Sequence, residues 1–401
     1  MTAADAARLL GVRRATLYAY VSRGRVRSQP TAGATRERVY ARDDLERLKR
    51  RAEERREPGT AAARALEWGL PLLESSIALI DGERLYYRGV DVESLARTRS
   101  VDEVAGLIWN AGPTPLARPP LPFDRRALRG SHAFVPRAQR LLAAAAAADP
   151  LAWDRRPAHV VAAGYRILRL LTNAATGARV GRRSVDEALA ASWRVPARGL
   201  EIVRSALILC ADHELNVSSF TARCVASAGS HPYAVVIAGL AALEGPKHGG
   251  ASARAEAMLA SVRRARSLHA AVGDRVQRGE SIDGFGHPLY RHGDPRARLL
   301  LALLRDGYGH SAEYRYIETF AEAASGVTGE LPNIDFALAA AARVVALPGG
   351  SPLVLFAIGR SIGWIGHALE QYASGQLIRP RARYVGPPPS AFLISPSRDT
   401  L

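Results

Sequence analysis

The chain is poor in cysteine, short of acid and without a long run of apolar residues, and each shortage closes off a class of protein. Cys210 and Cys224 are its two cysteines, so no disulfide framework can hold the fold together. Cys210-Ala-Asp-His213 and Cys224 match no zinc spacing, and no metal is expected. No apolar run is read as reaching the about 18–20 residues of a bilayer span, so no membrane partner is expected. The stretch 234–243 is among the longest and stops at Glu244. The first ten residues lack a basic region followed by a long apolar stretch, so they do not read as a secretory leader, and a cytoplasmic location is expected. No glycine loop joins a strand to a helix in the manner of a nucleotide site, since Gly284-Phe-Gly286 precedes a loop. Acids number 38 against 55 lysines and arginines, a formal net charge of +17. A surplus of that sign suits a nucleic-acid face or a field that draws in polyanionic small substrates.

What is present favours helices. The 401 residues suffice for two or three domains with a large core, and 48% are hydrophobic, with alanine and leucine ahead of the β-branched types. Near the start, 2–12 reads as a short helix, with Thr2 as N-cap and Gly11 at its end. A second helix is expected over 14–23, where Leu17 and Val21 share a face. Residues 24–28 and 37–40 alternate like two small strands around a loop at 30–35, and 41–56 reads as a charged helix with Asp43 or Asp44 near its start. Arg13, Arg14, Arg23, Arg25, Arg27, Arg36 and Arg38 crowd this stretch, and Glu57-Pro58-Gly59 breaks it. The stretch Ala3–Tyr20 with Tyr40-Ala-Arg-Asp-Asp44 resembles the DNA-binding domains of the MerR family. That resemblance implies DNA as a partner of residues 1–56, with the second helix in the major groove. A helical appendage serving assembly is the alternative.

Further on, Asp81-Gly82 joins 76–80 to 84–87 as a hairpin. Helices are expected over 101–109, 137–148, 158–172, 185–193, 198–209, 218–229, 254–277, 296–304, 311–324, 334–346 and 353–370. Three segments carry chemistry: Glu244-Gly-Pro-Lys-His-Gly-Gly250, Gly284-Phe-Gly-His-Pro-Leu-Tyr-Arg-His-Gly-Asp-Pro-Arg296 and Asn333-Ile-Asp335. Together they offer two well-placed histidines, a carboxylate and an arginine, the groups for abstracting a proton beside an anion clamp. Carbon–carbon bond formation between a thioester enolate and an oxo-acid is one of the few reactions that uses all four. On the residues alone, Asp335 reads more readily as a helix-capping aspartate than as a base. His248 could be a turn histidine bonded to backbone, although the glycines after it allow close approach of a ligand.

Residues from about 70 to 386 resemble citrate synthase. The resemblance is carried by Ser75-Ser-Ile-Ala-Leu-Ile-Asp-Gly82 with Tyr87-Arg-Gly89, Ala211-Asp-His-Glu-Leu-Asn-Val-Ser218, Gly245-Pro-Lys-His-Gly-Gly250 and Gly284-Phe-Gly-His-Pro-Leu-Tyr-Arg291 with Asp294-Pro-Arg296. Asn333-Ile-Asp335, Gly359-Arg-Ser-Ile-Gly-Trp364 and Ile378-Arg-Pro-Arg381 complete it. It implies a mainly α fold, with large and small helical domains behind a small winged helix-turn-helix-like domain. The boundaries expected are 1–57 for that domain, 58–69 for a linker, 70–251 and 348–401 for the large domain, and 252–347 for the small one.

The same resemblance implies a homodimer with active sites completed across the interface. It implies condensation of acetyl-CoA with oxaloacetate and hydrolysis of citryl-CoA to citrate, with 2-methylcitrate formation from propionyl-CoA, or metabolite sensing for a DNA-binding regulator, as alternatives. Asp335 and His248 would act on the thioester and His287 on the ketone. His213, Arg296, Arg360 and Arg379 would bind oxaloacetate, with Arg379 reaching across the dimer. Lys247 and Arg291 would meet the coenzyme A phosphates. No cofactor is implied, since the acyl-CoA is a substrate. Cys210 stands where many relatives have histidine, which bears on substrate choice.

Overall fold

A computed structural model describes residues 1–22, 26–30, 38–42, 44–45, 73–111, 133–181 and 183–387. The chain divides into two units, Met1–Glu74 and Ser75–Leu401.

In the first unit, α1 (Ala3–Leu10) starts at Thr2, whose hydroxyl accepts the Asp5 N–H, and stops at Gly11 in the left-handed region. Next come α2 (Arg14–Ser22) and an antiparallel pair, β1 (Ser28–Pro30) and β2 (Arg38–Tyr40). Ala6, Leu17, Val26, Tyr40 and Leu45 form its small core. The first strand begins at Ser28, four residues later than the alternation at 24–28 suggests. Asp44 draws Arg27 off the ladder, accepting its backbone N–H and its Nε, both at 2.9 Å. Pro30 of the loop read as a wing belongs to β1, while the rest of that loop, nearly all of the helix read at 41–56, the linker 58–69, Arg23, Arg25 and Arg36 lie outside the described residues.

The second unit opens with a three-stranded meander, β3 (Ala78–Asp81), β4 (Arg84–Tyr87) and β5 (Val90–Asp91), in that order. Asp81 pairs with Arg84 across the expected Asp-Gly turn, while β5 went unread. Helices α3 (Val92–Thr98), α4 (Val101–Ile108), α5 (Phe134–Ala148), α6 (Pro157–Thr176) and α7 (Val185–Ser192) follow. Then come α8 (Leu200–Leu209), α9 (Val217–Ser227), α10 (Pro232–Leu243) and α11 (Gly250–Ser261). After them run α12 (Leu268–Gln277), α13 (Pro295–Tyr308), α14 (Ala312–Thr328), α15 (Ile334–Val344) and α16 (Ser351–Ser374).

Three of these correct the sequence reading, the first being α3, which was not expected. The stretch 254–277 is not one helix: Ser267 accepts the Ala270 N–H and starts a new one, α12. The run 234–243 is not just an apolar stretch but most of α10, with His231 Nδ1 accepting the Ala234 N–H as its cap.

α16 is the axle of this unit. It packs against α4, α6, α8, α9, α10, α11 and α15. By length and composition it could cross a bilayer, contrary to the expectation that no apolar run is long enough, yet 89% of its most apolar stretch is buried inside the protein. Glycines on it admit backbone: the Gly363 N–H donates to Ala211 O at 3.0 Å. A Cβ at Gly363 would stand 2.5 Å from Asp212 Oδ1. This close approach sets α16 against the end of α8, where the functional residues begin.

Candidate active site

Four chain segments converge on one pocket of polar groups. The first is the turn after α8. Tyr87 of β4, fully buried, donates to Ile208 O at 3.1 Å and accepts the Asp212 N–H at 3.1 Å. That clamp holds 208–213 in place and directs His213 inward, where Nε2 lies 3.0 Å from the Tyr290 hydroxyl. The His213 and His287 rings meet edge to face at 5.1 Å. Burial, then Arg296 and Arg360, hold the His213 imidazole well below its ordinary pKa, so it is neutral.

The second is the turn between α10 and α11. The Gly249 N–H donates to Leu243 O and the His248 N–H to Gly245 O, which closes the turn tightly at Pro246-Lys-His248. His248 Nε2 lies 2.8 Å from Ser218 Oγ. Ser218 has one proton to give, and Asn216 Oδ1, also 2.8 Å away, competes for it. That oxygen already accepts the N–H groups of Ser218 and Ser219, and Trp364 Nε1 donates into Ser218 Oγ at 3.2 Å. A Ser218 hydroxyl that donates to His248 Nε2 rather than to Asn216 places the ring proton on Nδ1. Burial, then Arg360, lower His248 to about 4, so at neutral pH it is an uncharged donor.

The third is the loop 284–294. Gly284 sits at φ +89°, pressed on Phe336, where a side chain would collide with the start of α15. Asn333 N donates to Gly284 O at 2.8 Å, Asn333 Nδ2 to Gly286 O at 2.9 Å, and Gly286 N to Leu331 O at 2.9 Å. His287 is thereby tied to the start of α15. Its Nδ1 accepts the Leu289 N–H at 3.2 Å, so a neutral ring carries its proton on Nε2. Burial, then Arg296, lower it to about 4.

The fourth is the start of α15. Asn333, not Asp335, is the cap: its Oδ1 accepts the Asp335 N–H at 3.0 Å. Asp335 is thus released from the capping role, and its Oδ1 accepts the Ser252 hydroxyl of α11 instead. Burial raises its pKa, against the pull of Ser252 and Arg296.

Two buried arginines supply the positive charge. Arg296 is paired bidentately with Asp294, Nε to Oδ1 at 2.9 Å and Nη2 to Oδ2 at 2.7 Å. Asp294 also accepts the Ile334 N–H at 3.1 Å, so one carboxylate joins Arg296 to the helix that carries Asp335. Arg360 donates from Nε to Cys210 O at 2.7 Å, while its buried Nη2 has no hydrogen-bond partner among the described residues. A guanidinium 1% exposed in this state is suited to a planar anion.

Of the residues singled out from sequence, His213, His248, His287, Asp335, Arg296 and Arg360 interact within this pocket. Lys247 and Arg291 lie exposed on the flanking turns, and Arg379 lies exposed in the stretch without regular secondary structure after α16. Sequence reasoning gave no task to Ser218, Tyr290, Asp294, Ser252 or Trp364. Ser218, Tyr290, Asp294 and Trp364 stood inside quoted motifs, but Ser218, Tyr290 and Trp364 find partners in other segments, as Asp294 does at the Ile334 N–H. Among the described residues, no group of three or more His, Cys, Asp or Glu side chains could hold a metal ion.

Comparison with known proteins bears on this arrangement. Residues 155–381 match the family described as Citrate synthase, C-terminal domain, and residues 1–53 match Helix-turn-helix domain. The chain is 37% identical over 197 residues to Citrate synthase 2 of Bacillus subtilis, a match spanning 48% of the chain and about half, 53%, of that protein. With Citrate synthase of Haloferax volcanii it shares 32% identity over 362 residues, 80% of the chain and 95% of that protein. It is also 29% identical to 2-methylcitrate synthase of Shewanella oneidensis, over 77% of the chain and 91% of that protein. A solved ternary complex of citrate synthase from Thermoplasma acidophilum with carboxymethyl coenzyme A and oxaloacetate superposes with a TM-score of 0.70 at 25% identity. That match covers 82% of the chain and 98% of the archaeal one.

Proposed function

The chain belongs to the citrate synthase family, and on that premise we propose that it condenses acetyl-CoA with oxaloacetate and hydrolyses the citryl thioester to citrate and coenzyme A. The observation that carries the reading is the pairing of neutral imidazoles with a carboxylate freed from capping, beside two buried arginines.

A thioester methyl is far less acidic than any side chain, so its proton leaves only as the developing enolate is stabilised. Asp335 takes that proton, while His248 donates Nδ1–H to the thioester oxygen, its tautomer held by Ser218 and Trp364. The enol carbon then attacks the ketone of oxaloacetate, and the new alkoxide receives the Nε2 proton of His287. Arg296 and Arg360 hold the two carboxylates, with His213 beside them and Arg379 supplied by the second copy of a homodimer. Asp294 occupies one edge of the Arg296 fork, leaving the other for substrate. Lys247 and Arg291, exposed cations, meet the phosphates of coenzyme A. Residues 252–347 form the small domain, and its closure keeps water away until condensation is complete.

The test is release of free thiol from acetyl-CoA when oxaloacetate is added. No release from well-folded dimer would overturn the reading, and Asp335→Ala should abolish what is seen. The reaction needs no metal or cofactor, so the rate should be unchanged in excess EDTA. We assign the activity to the tricarboxylic acid cycle in the cytoplasm.

The 2-methylcitrate synthase relative favours a second reading of the acyl group. One methyl group is worth about 1–3 kcal/mol in a pocket, so kcat/KM for acetyl-CoA and propionyl-CoA should differ by roughly 10- to 200-fold in whichever direction the pocket favours. The helix-turn-helix match, with Arg14 and Tyr18 exposed on one face of α2, favours DNA binding beside catalysis. A mobility shift with DNA from upstream of the coding region, with and without oxaloacetate, tests it.

A further inference from the structure

The carboxylate of Asp335 is held from outside its own helix. Ser252 lies on the first turn of α11, is fully buried, and donates its hydroxyl to Asp335 Oδ1 across the contact between α11 and α15. Four residues earlier in the chain is His248. A single segment thus carries the donor that meets the thioester oxygen and the hydroxyl that grips the base.

We propose that Ser252 is the positioning residue of the base: its hydroxyl pins Oδ1 of Asp335 and leaves Oδ2 as the oxygen that takes the methyl proton. This rests on the condensation reading. A carboxylate has two oxygens and a rotatable χ2, and a hydrogen bond to one of them removes that freedom. Because Ser252 and His248 share a segment, the same bond sets the base against the enol donor, where small displacements cost large factors in rate.

The electrostatics agree with the geometry. Burial pushes the Asp335 carboxyl up, the Ser252 hydroxyl is the largest influence pulling it down, and Arg296 follows. The charged groups that bear on it are Asp294, which caps α13, Arg296 of α13 and Arg254 of α11. α14 meets α15 through the stacked rings of Phe320 and Phe336, and α16 presents Arg360 to the same pocket. Without Ser252 the carboxyl would hold its proton to higher pH.

The experiment compares wild type, Ser252→Ala and Ser252→Thr. Ser252→Ala should move the acid limb of the kcat profile up by about one pH unit and lower kcat roughly 10-fold, with KM for oxaloacetate within about twofold. Ser252→Thr, which retains the hydroxyl, should keep the wild-type midpoint. A Ser252→Ala profile that superimposes on wild type overturns the proposal, whereas an inactive wild type overturns the condensation reading instead. A second readout needs no turnover. In protein labelled with 13C-aspartate, with the Asp335 resonance assigned by Asp335→Asn, the titration midpoint should rise in Ser252→Ala. An unchanged midpoint overturns the proposal whatever the activity.

Discussion

At the scale of single residues, the site depends on which proton sits where. Trp364 contributes one N–H, which donates to the Ser218 oxygen that lies beside His248. Trp364→Phe retains the ring and removes the donor. It should lower kcat about 2- to 10-fold, the worth of one hydrogen bond, with KM for oxaloacetate unchanged in steady-state assays. Asp294 has a heavier role, since it neutralises a buried arginine. Asp294→Asn should destabilise the protein by about 3–5 kcal/mol in denaturant unfolding, because Arg296 is left buried without its counter-ion.

The histidines set a pH dependence. His248 and His287 titrate near 4 folded and near 6.5 unfolded, so between those values the unfolded chain binds more protons. Stability should therefore fall as pH drops from about 6.5 toward 4. Asp335, with its raised carboxyl, offsets part of the loss. Thermal melts across that window check the sign.

Much at this scale was legible, and some was not. Asn333-Ile-Asp335 was readable as a helix start, but the partner of the Asp335 carboxylate, Ser252, lies 83 positions away. Ser218 meets His248 across 30 residues and Trp364 across 146, separations that no local pattern encodes.

At the scale of elements, helices with a clear cap or a clear period were readable. Thr2 and Gly11 bound α1 as expected, and Asp81-Gly82 turns the hairpin. The errors came where one apolar periodicity spans a break, as at Ser267, or where a helix is apolar all round, as α10 is. Such a helix has no polar face to give it a period. The close approach of α16 to the end of α8 was equally hidden, because a glycine does not announce what will press against it. Gly363→Ala should cost about 1–3 kcal/mol by overpacking against Ala211 and Asp212, read as a lowered unfolding midpoint with an unchanged m-value.

At the scale of the whole molecule, two readings share one chain, and a substitution in the first unit separates them. Arg14 and Tyr18 are exposed on α2 and belong to neither the small core nor the pocket. Arg14→Ala with Tyr18→Ala should weaken a mobility shift at least 10-fold while thiol release stays at the wild-type rate. If both activities fall together, the two units depend on one another; if neither does, that face of α2 is not the DNA surface.

α16 carries a consequence for how the chain tolerates insertion and deletion. Its 24 residues span about 36 Å, and each residue turns the helix by about 100°. It places Arg360 on Cys210, Gly363 on Ala211 and His367 on Asp212, three stations along one rail. Adding or removing one residue between Ser351 and Arg360 would rotate all three away from their partners together. Lineages of this chain should therefore vary in length after Arg381, where the described residues are exposed and without regular secondary structure, and hold their length within α16.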